Sequence, residues 1–140
     1  MSGTPNVTTQ QTIYPAFRFR DARGLIDFLG RAFGFEPRAV YGEGDTVNHA
    51  ELAFQGSMVM CGSEPRPEET DRLQVQTGPS SVYIVLATDE AVDAHAARAR
   101  AAGAEIVREP ESPDYGGRGY TARDPEGNVW SFGSYRPEQP

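Results

Sequence analysis

The sequence predicts an α+β fold made of two copies of one βαβββ module, and three observations carry that prediction. Residues 14–63 and 83–134 follow one template, in which a tyrosine opens a strand and a glycine-serine pair closes the unit. Both helical segments end at a glycine, in Phe33-Gly34-Phe35-Glu36 and in Ala102-Gly103-Ala104-Glu105. The closing segments also match, with Gly56 to Gly62-Ser63 answered by Gly127 to Gly133-Ser134. Neither half of a duplicated unit buries its sheet well alone, so the halves are expected to pair around a shared surface.

Taken in order, residues 1–11 are polar and read as a flexible tail. The first module spans 12–63. Ile13 to Arg20 alternates as a strand does, Asp21 stands at a helix N-cap, and Leu25, Ile26, Leu29 and Phe33 form the apolar stripe of a helix over 22–33. Strands are predicted at 38–42, 47–54 and 58–62, the last two joined by a hairpin at Phe54-Gln-Gly-Ser57. Residues 64–80 read as a polar, proline-containing linker. The second module, 81–136, opens with a strand at 82–88. Thr88 or Asp89 caps an alanine-rich helix through Ala102, with Val92, Ala96 and Ala99 facing inward. Strands follow at 106–108, 120–123 and 129–135, with a long loop over 110–119 and a turn at Asp124-Pro-Glu-Gly-Asn128.

Composition narrows the function classes. At 140 residues the chain fits one two-layer domain. A formal charge of -7 disfavours nucleic acid and anionic membranes as partners. No apolar run approaches the ~18 residues of a membrane span, and no signal peptide is visible, so a cytoplasmic location is expected. Cys61 is the only cysteine, which rules out an internal disulfide, and its apolar strand suits a buried thiol. All 13 basic side chains are arginine, so Schiff-base chemistry on lysine and a Walker-type loop are both excluded.

Strand alternation divides the side chains into two sets. Phe17, Phe19, Ala50, Leu52, Phe54, Val59, Cys61, Ile84, Leu86, Trp130 and Phe132 are apolar throughout and form the core under the helices. The opposite set mixes aromatic, thioether and polar groups: Tyr14, Ala16, Arg18, His49, Glu51, Met58, Met60, Tyr83, Val85, Tyr120, Ala122, Val129 and Ser131. That mixture suits a concave pocket for a small organic ligand; a dimer interface is the alternative.

The doubled pattern, the strand Asn48-His-Ala-Glu-Leu52 and the segment Arg123-Asp-Pro-Glu-Gly-Asn-Val-Trp-Ser-Phe-Gly-Ser-Tyr135 together resemble the vicinal oxygen chelate superfamily. Its members include glyoxalase I, bleomycin-resistance proteins and extradiol dioxygenases. The likeness covers residues 12–136. It implies a cupped, U-shaped mixed sheet with the helices on its outer face, and a homodimer around the cup.

The metalloenzymes of that superfamily carry His, Gln or Glu ligands on the first and last strands of each module. Matching their pattern to this chain puts Tyr14, Met60, Tyr83 and Ser131 at those places, a set that does not suit a divalent metal. No cofactor is therefore expected, and the resemblance is to the metal-free, bleomycin-resistance-like branch. His49 and Glu51 project from one face and are the candidate catalytic pair; the alternative is that Glu51 satisfies His49 or Arg18. Tyr14, Tyr83 and Tyr120 could stack on a planar ligand, and Met58 and Met60 could adapt to it. Arg118 could close over the mouth of the cup, or remain a solvated loop residue. His95 reads as a surface or packing residue.

Three functions follow. The first is a metal-independent protein that binds a small molecule, such as an antibiotic or an aromatic metabolite. The second is a lyase, isomerase or dioxygenase using His49 and Glu51. The third is a structural or regulatory dimer without a ligand.

Overall fold

The computed structural model describes residues 11–65 and 78–137. Residues 1–10 of the tail expected over 1–11, and 66–77 of the linker expected over 64–80, lie outside the described residues. Gln11, the last residue of the expected tail, is engaged: its amide accepts from the Met58 N–H at 2.6 Å and donates to the Met58 carbonyl at 2.8 Å.

The fold is α+β, two βαβββ modules in sequence. In the first, β1 (Ala16–Phe19) leads into α1 (Ala22–Phe28), then β2 (Glu36–Glu43), β3 (Thr46–Phe54) and β4 (Ser57–Ser63). In the second, β5 (Ser81–Val85) leads into α2 (Asp89–Ala101), then β6 (Glu105–Glu111), β7 (Gly119–Arg123) and β8 (Val129–Gly133). The sheets have matching orders, β1-β4-β3-β2 and β5-β8-β7-β6, and in each the first strand runs parallel to the last. Each module contributes one four-stranded mixed sheet, as the doubled βαβββ pattern predicts. The loop expected over 110–119 begins later, since β6 extends to Glu111.

Helix ends follow the predicted chemistry. The Asp21 carboxylate accepts from the Gly24 N–H at 3.1 Å, and a Cβ on Gly24 would fall 2.2 Å from an Asp21 oxygen, so only glycine leaves room for this cap. The helix expected over 22–33 changes pitch: from Leu29 to Phe33 it is a π-helical turn. Leu25, Phe28, Leu29, Ala32 and Phe33 are buried at i, i+3, i+4, i+7 and i+8, so the apolar stripe continues through the π-helical turn. Gly34, at φ 92°, then stops it in the left-handed conformation. The α2 N-cap is Thr88, whose hydroxyl accepts from the Ala91 N–H at 3.0 Å. Asp89 and Glu90 begin this helix and Arg98 and Arg100 end it, complementing its dipole.

The two modules share one core. Trp130 of β8 stacks on Phe17 of β1 with centroids 5.1 Å apart, and Phe33 packs against Trp130 and Phe132 at 5.6 and 5.0 Å. The helix-bearing sides of both sheets therefore meet around these rings, each contributing about 2–3 kcal/mol by burial. Polar links reinforce the junction. The Arg98 guanidinium donates to the Gly30 and Arg31 carbonyls, at 2.9 and 3.1 Å, capping the end of the π-helical turn from the other module. The Glu126 carboxylate accepts from the N–H groups of Arg20 and Asp21, both at 2.7 Å.

The sequence Asp124-Pro-Glu-Gly-Asn128 is a structural turn. Buried Asp124 accepts from Trp130 Nε1 at 2.9 Å, from the N–H groups of Glu126 and Asn128 at 2.8 and 3.0 Å, and from Asn128 Nδ2. Asn128 in turn accepts from the Ser80 N–H at 2.9 Å, fixing the start of β5. Trp130 is fully buried, as its alternation predicted.

Candidate functional site

The sheet faces turned away from the shared core carry most of the predicted site residues, in two groups. On the first module, β1 and β3 flank β4, with Ala16 beside Met60 and Glu51 on its other side. Arg18 and Met58 share this face. His49 Nε2 lies 2.9 Å from Glu51 Oε2, and the ring of Tyr41, on β2, stacks over His49 with centroids 6.2 Å apart. Both members of this pair remain about two-fifths exposed, so it is open to a ligand. The Arg18 guanidinium reaches over Gly62 and donates to the Ser63 carbonyl at 3.3 Å.

On the second module one row crosses the sheet: Tyr83 on β5, Ser131 on β8, Thr121 on β7 and Arg108 on β6. The Thr121 and Ser131 hydroxyls are 3.0 Å apart. The Tyr83 ring lies over Gly133, where a Cβ would come within 2.7 Å of its hydroxyl, and that hydroxyl donates to the Tyr135 carbonyl. Partial burial raises the Tyr83 pKa, helped by Tyr115 and Tyr135 and opposed by Arg136. Tyr115 meets Tyr135 edge to face at 5.0 Å. A cavity of about 130 Å³ sits among Tyr83, Arg108, Glu111, Tyr115, Thr121 and Ser131. A larger one, about 500 Å³, opens along the seam between the modules, from Met58 and Pro15 to Tyr83 and Val85.

Four predicted positions change. Tyr120 and Ala122 belong to the core side, since Tyr120 pairs with Phe132 and Ala122 with Trp130, and both are buried. Thr121 takes the place expected for Tyr120. Arg118 does not reach the open face: its Nε donates to Asp93 on α2 at 2.8 Å and its Nη1 to Ser112 at 3.3 Å. Tyr14 precedes β1 and is exposed, and Ala16 is the residue opposite Met60, as Tyr83 is opposite Ser131. The matched pair across the duplication is therefore Ala16 and Tyr83, where the sequence match had suggested Tyr14 and Tyr83.

Sequence reasoning missed Thr121, Arg108, Tyr41 and Tyr115. For Thr121 the signal was available. A hairpin closed by Arg123 and Val129 sets Thr121 opposite Ser131, so Tyr120 and Ser131 cannot share a face.

The donor set at the positions matched to metal ligands does not fit a divalent cation. Ala16 offers no donor, Met60 a soft thioether, and the Tyr83 and Ser131 hydroxyls already face Tyr135 and Thr121. Among the described residues, no group of three or more His, Cys, Asp or Glu side chains gathers in one place. No helix among them is long and apolar enough to cross a membrane.

Comparison with known proteins bears on the fold and the family. The structure is similar to TioX from Micromonospora sp. ML1, with 27% identity, a TM-score of 0.71, and coverage of 89% of this chain and 100% of that one. It is similar in fold to a glyoxalase/bleomycin resistance protein/dioxygenase family enzyme from Burkholderia phytofirmans PsJN, at 23% identity and TM-score 0.65, covering 86% and 94% of the two chains. It is likewise similar in fold to the fosfomycin resistance protein FosX from Mesorhizobium loti, at 14% identity and TM-score 0.62, covering 92% and 95%. No curated protein matches in sequence. The family model described as Glyoxalase/Bleomycin resistance protein/Dioxygenase superfamily matches residues 13–132, nearly all of both modules, and the chain belongs to that superfamily.

Proposed function

We propose that the protein binds a small, planar organic molecule, an antibiotic or aromatic metabolite, without a metal ion. The observation that carries this reading is the chemistry of the matched positions: Ala16, Met60, Tyr83 and Ser131 offer apolar, aromatic and neutral polar surface. Tyr83 and Tyr115 suit stacking, Met58 and Met60 adapt to shape, and the Thr121–Ser131 and His49–Glu51 pairs supply hydrogen-bonding edges.

The site in this reading is completed by a second copy. Each module's open face looks away from the core it shares with its neighbour. Among the described residues no hydrogen bond or ring contact joins Arg18, His49, Glu51 or Met60 to Tyr83, Thr121 or Ser131. The first-module face of one copy then closes against the second-module face of its partner, in a homodimer with two equivalent cups. A cytoplasmic site of action belongs to the same proposal.

Calorimetric titration with a panel including bleomycin and fosfomycin tests the reading, comparing wild type with a Met60→Ala, Tyr83→Ala double variant in the presence of chelator. Binding that survives chelation and weakens at least tenfold in the variant supports it. Unchanged affinity in the variant sinks the proposed pocket.

The 2.9 Å contact of His49 with Glu51 supports a second reading, an enzyme using this pair for proton transfer. Stoichiometric metal in the purified protein that disappears with His49→Ala would favour it.

A further inference from the structure

His95, the second histidine of the chain, lies outside both open faces and inside the junction between the modules. It projects from α2 into a pocket of rings, with centroids 4.2 Å from Phe132 and 6.0 Å from Phe33, and Phe54 edge-on at 5.9 Å. Its Nε2 lies 2.7 Å from the Phe33 carbonyl and its Nδ1 2.6 Å from the Tyr120 hydroxyl. A carbonyl only accepts, so Nε2 carries the hydrogen, and Nδ1 of the neutral ring accepts from Tyr120. One imidazole thus ties the last residue of the first module's helix to a central strand of the second.

We propose that His95 is a pH-sensitive latch between the modules, closed while its ring is neutral and weakened when the ring is protonated. A proton on Nδ1 would point at the Tyr120 oxygen, whose own hydrogen must then turn away. The acceptor within reach is the His95 carbonyl at 3.5 Å, at the outer limit of a hydrogen bond. Among the described residues, no carboxylate facing the ring compensates the charge. Phe33, Phe54 and Phe132 are uncharged, burial pushes the Tyr120 phenol up and keeps it neutral, and Arg98, one turn further along α2, is itself a cation.

The sign follows from burial. Desolvation holds the His95 pKa below its ordinary value; Arg98 adds to this, and the hydrogen bond to the Phe33 carbonyl partly opposes it. The open form, with a histidine pKa of about 6.5, takes up a proton before the closed form does. The latch contributes fully above that pH. As pH falls below it, the opening constant rises by up to about tenfold per pH unit, until the closed form also protonates.

Trp130 is a built-in reporter, because it is the sole tryptophan, fully buried, and stacked on Phe17 across the junction. The test follows acrylamide quenching of Trp130 and far-ultraviolet dichroism from pH 8 to pH 5, in wild type, His49→Gln and His95→Gln. Quenching that rises below about pH 6.5 in wild type and His49→Gln, before secondary structure is lost, and that has no such step in His95→Gln, is the expected result. Nitrogen-15 spectra of the wild type should show the Nε2–H form of His95 and a pKa under 6.5, and they decide the matter should His95→Gln fail to fold. The same pH step in His95→Gln, an Nδ1–H tautomer, or a His95 pKa at or above 6.5 overturns the latch.

Discussion

Replacing Asp124 with alanine should damage the second module more than any other single change in its last hairpin. The carboxylate satisfies four donors: the Trp130 indole, the Asn128 side-chain amide, and the N–H groups of Glu126 and Asn128. Trp130 and Asn128 are buried to 0% and 1% exposure, so water does not replace the lost acceptor at their side chains. A buried orphaned donor costs about 1–3 kcal/mol, and the two backbone groups, at the edge of the turn, recover part of their loss through water. The sum is about 3–5 kcal/mol, a large part of the ~5–15 kcal/mol that holds a typical domain together. For a chain of this size that lowers the melting temperature by about 10–15 °C. Urea unfolding followed by Trp130 emission and far-ultraviolet dichroism measures it. Adding Trp130→Phe to Asp124→Ala should cost less than the two separate losses combined, because it removes the orphaned indole donor. A loss below about 1 kcal/mol for Asp124→Ala, with Trp130 still shielded, would refute the reasoning.

Glu126→Ala removes the acceptor for the Arg20 and Asp21 N–H groups and should destabilise the fold by about 1–2 kcal/mol in urea, while Glu126→Gln, which keeps one acceptor, recovers part of this. The Cys61 thiol is pushed up to about 12 by burial, with Arg18 partly opposing. It should therefore resist a disulfide reagent at pH 8 in the native protein and react fully once urea exposes it.

The fold was legible because the duplication, the alternating strands and the helix caps agree with one another. Phe17, Leu52, Trp130 and Phe132 were placed in the core by alternation alone, and all are buried. The failures arose where a local pattern had to be set against a neighbour. Tyr120 looks like a face residue in isolation, and only its pairing with Phe132 sends it to the core. Tyr14 opens its segment as Tyr83 does, but strand register is set by hydrogen bonding to β4 and β8, which shifts the match to Ala16. Arg118 is drawn off by Asp93, which is 25 residues away in sequence. The inter-module role of His95 depends on Phe33 and Tyr120, brought together only by the junction.

The central claim is that each cup joins the first-module face of one copy to the second-module face of another. The direct test mixes two disabled proteins, Met60→Arg and Tyr83→Ala, and measures binding of a fluorescent planar aromatic such as anilinonaphthalene sulfonate. Each variant alone places one damaged face in every cup. After subunit exchange, half of the dimers are mixed and each mixed dimer holds one intact cup, so about a quarter of the wild-type sites should return. Recovery near that level supports the account; two variants that stay silent after verified exchange, or a protein that sediments as a monomer while binding fully, would contradict it.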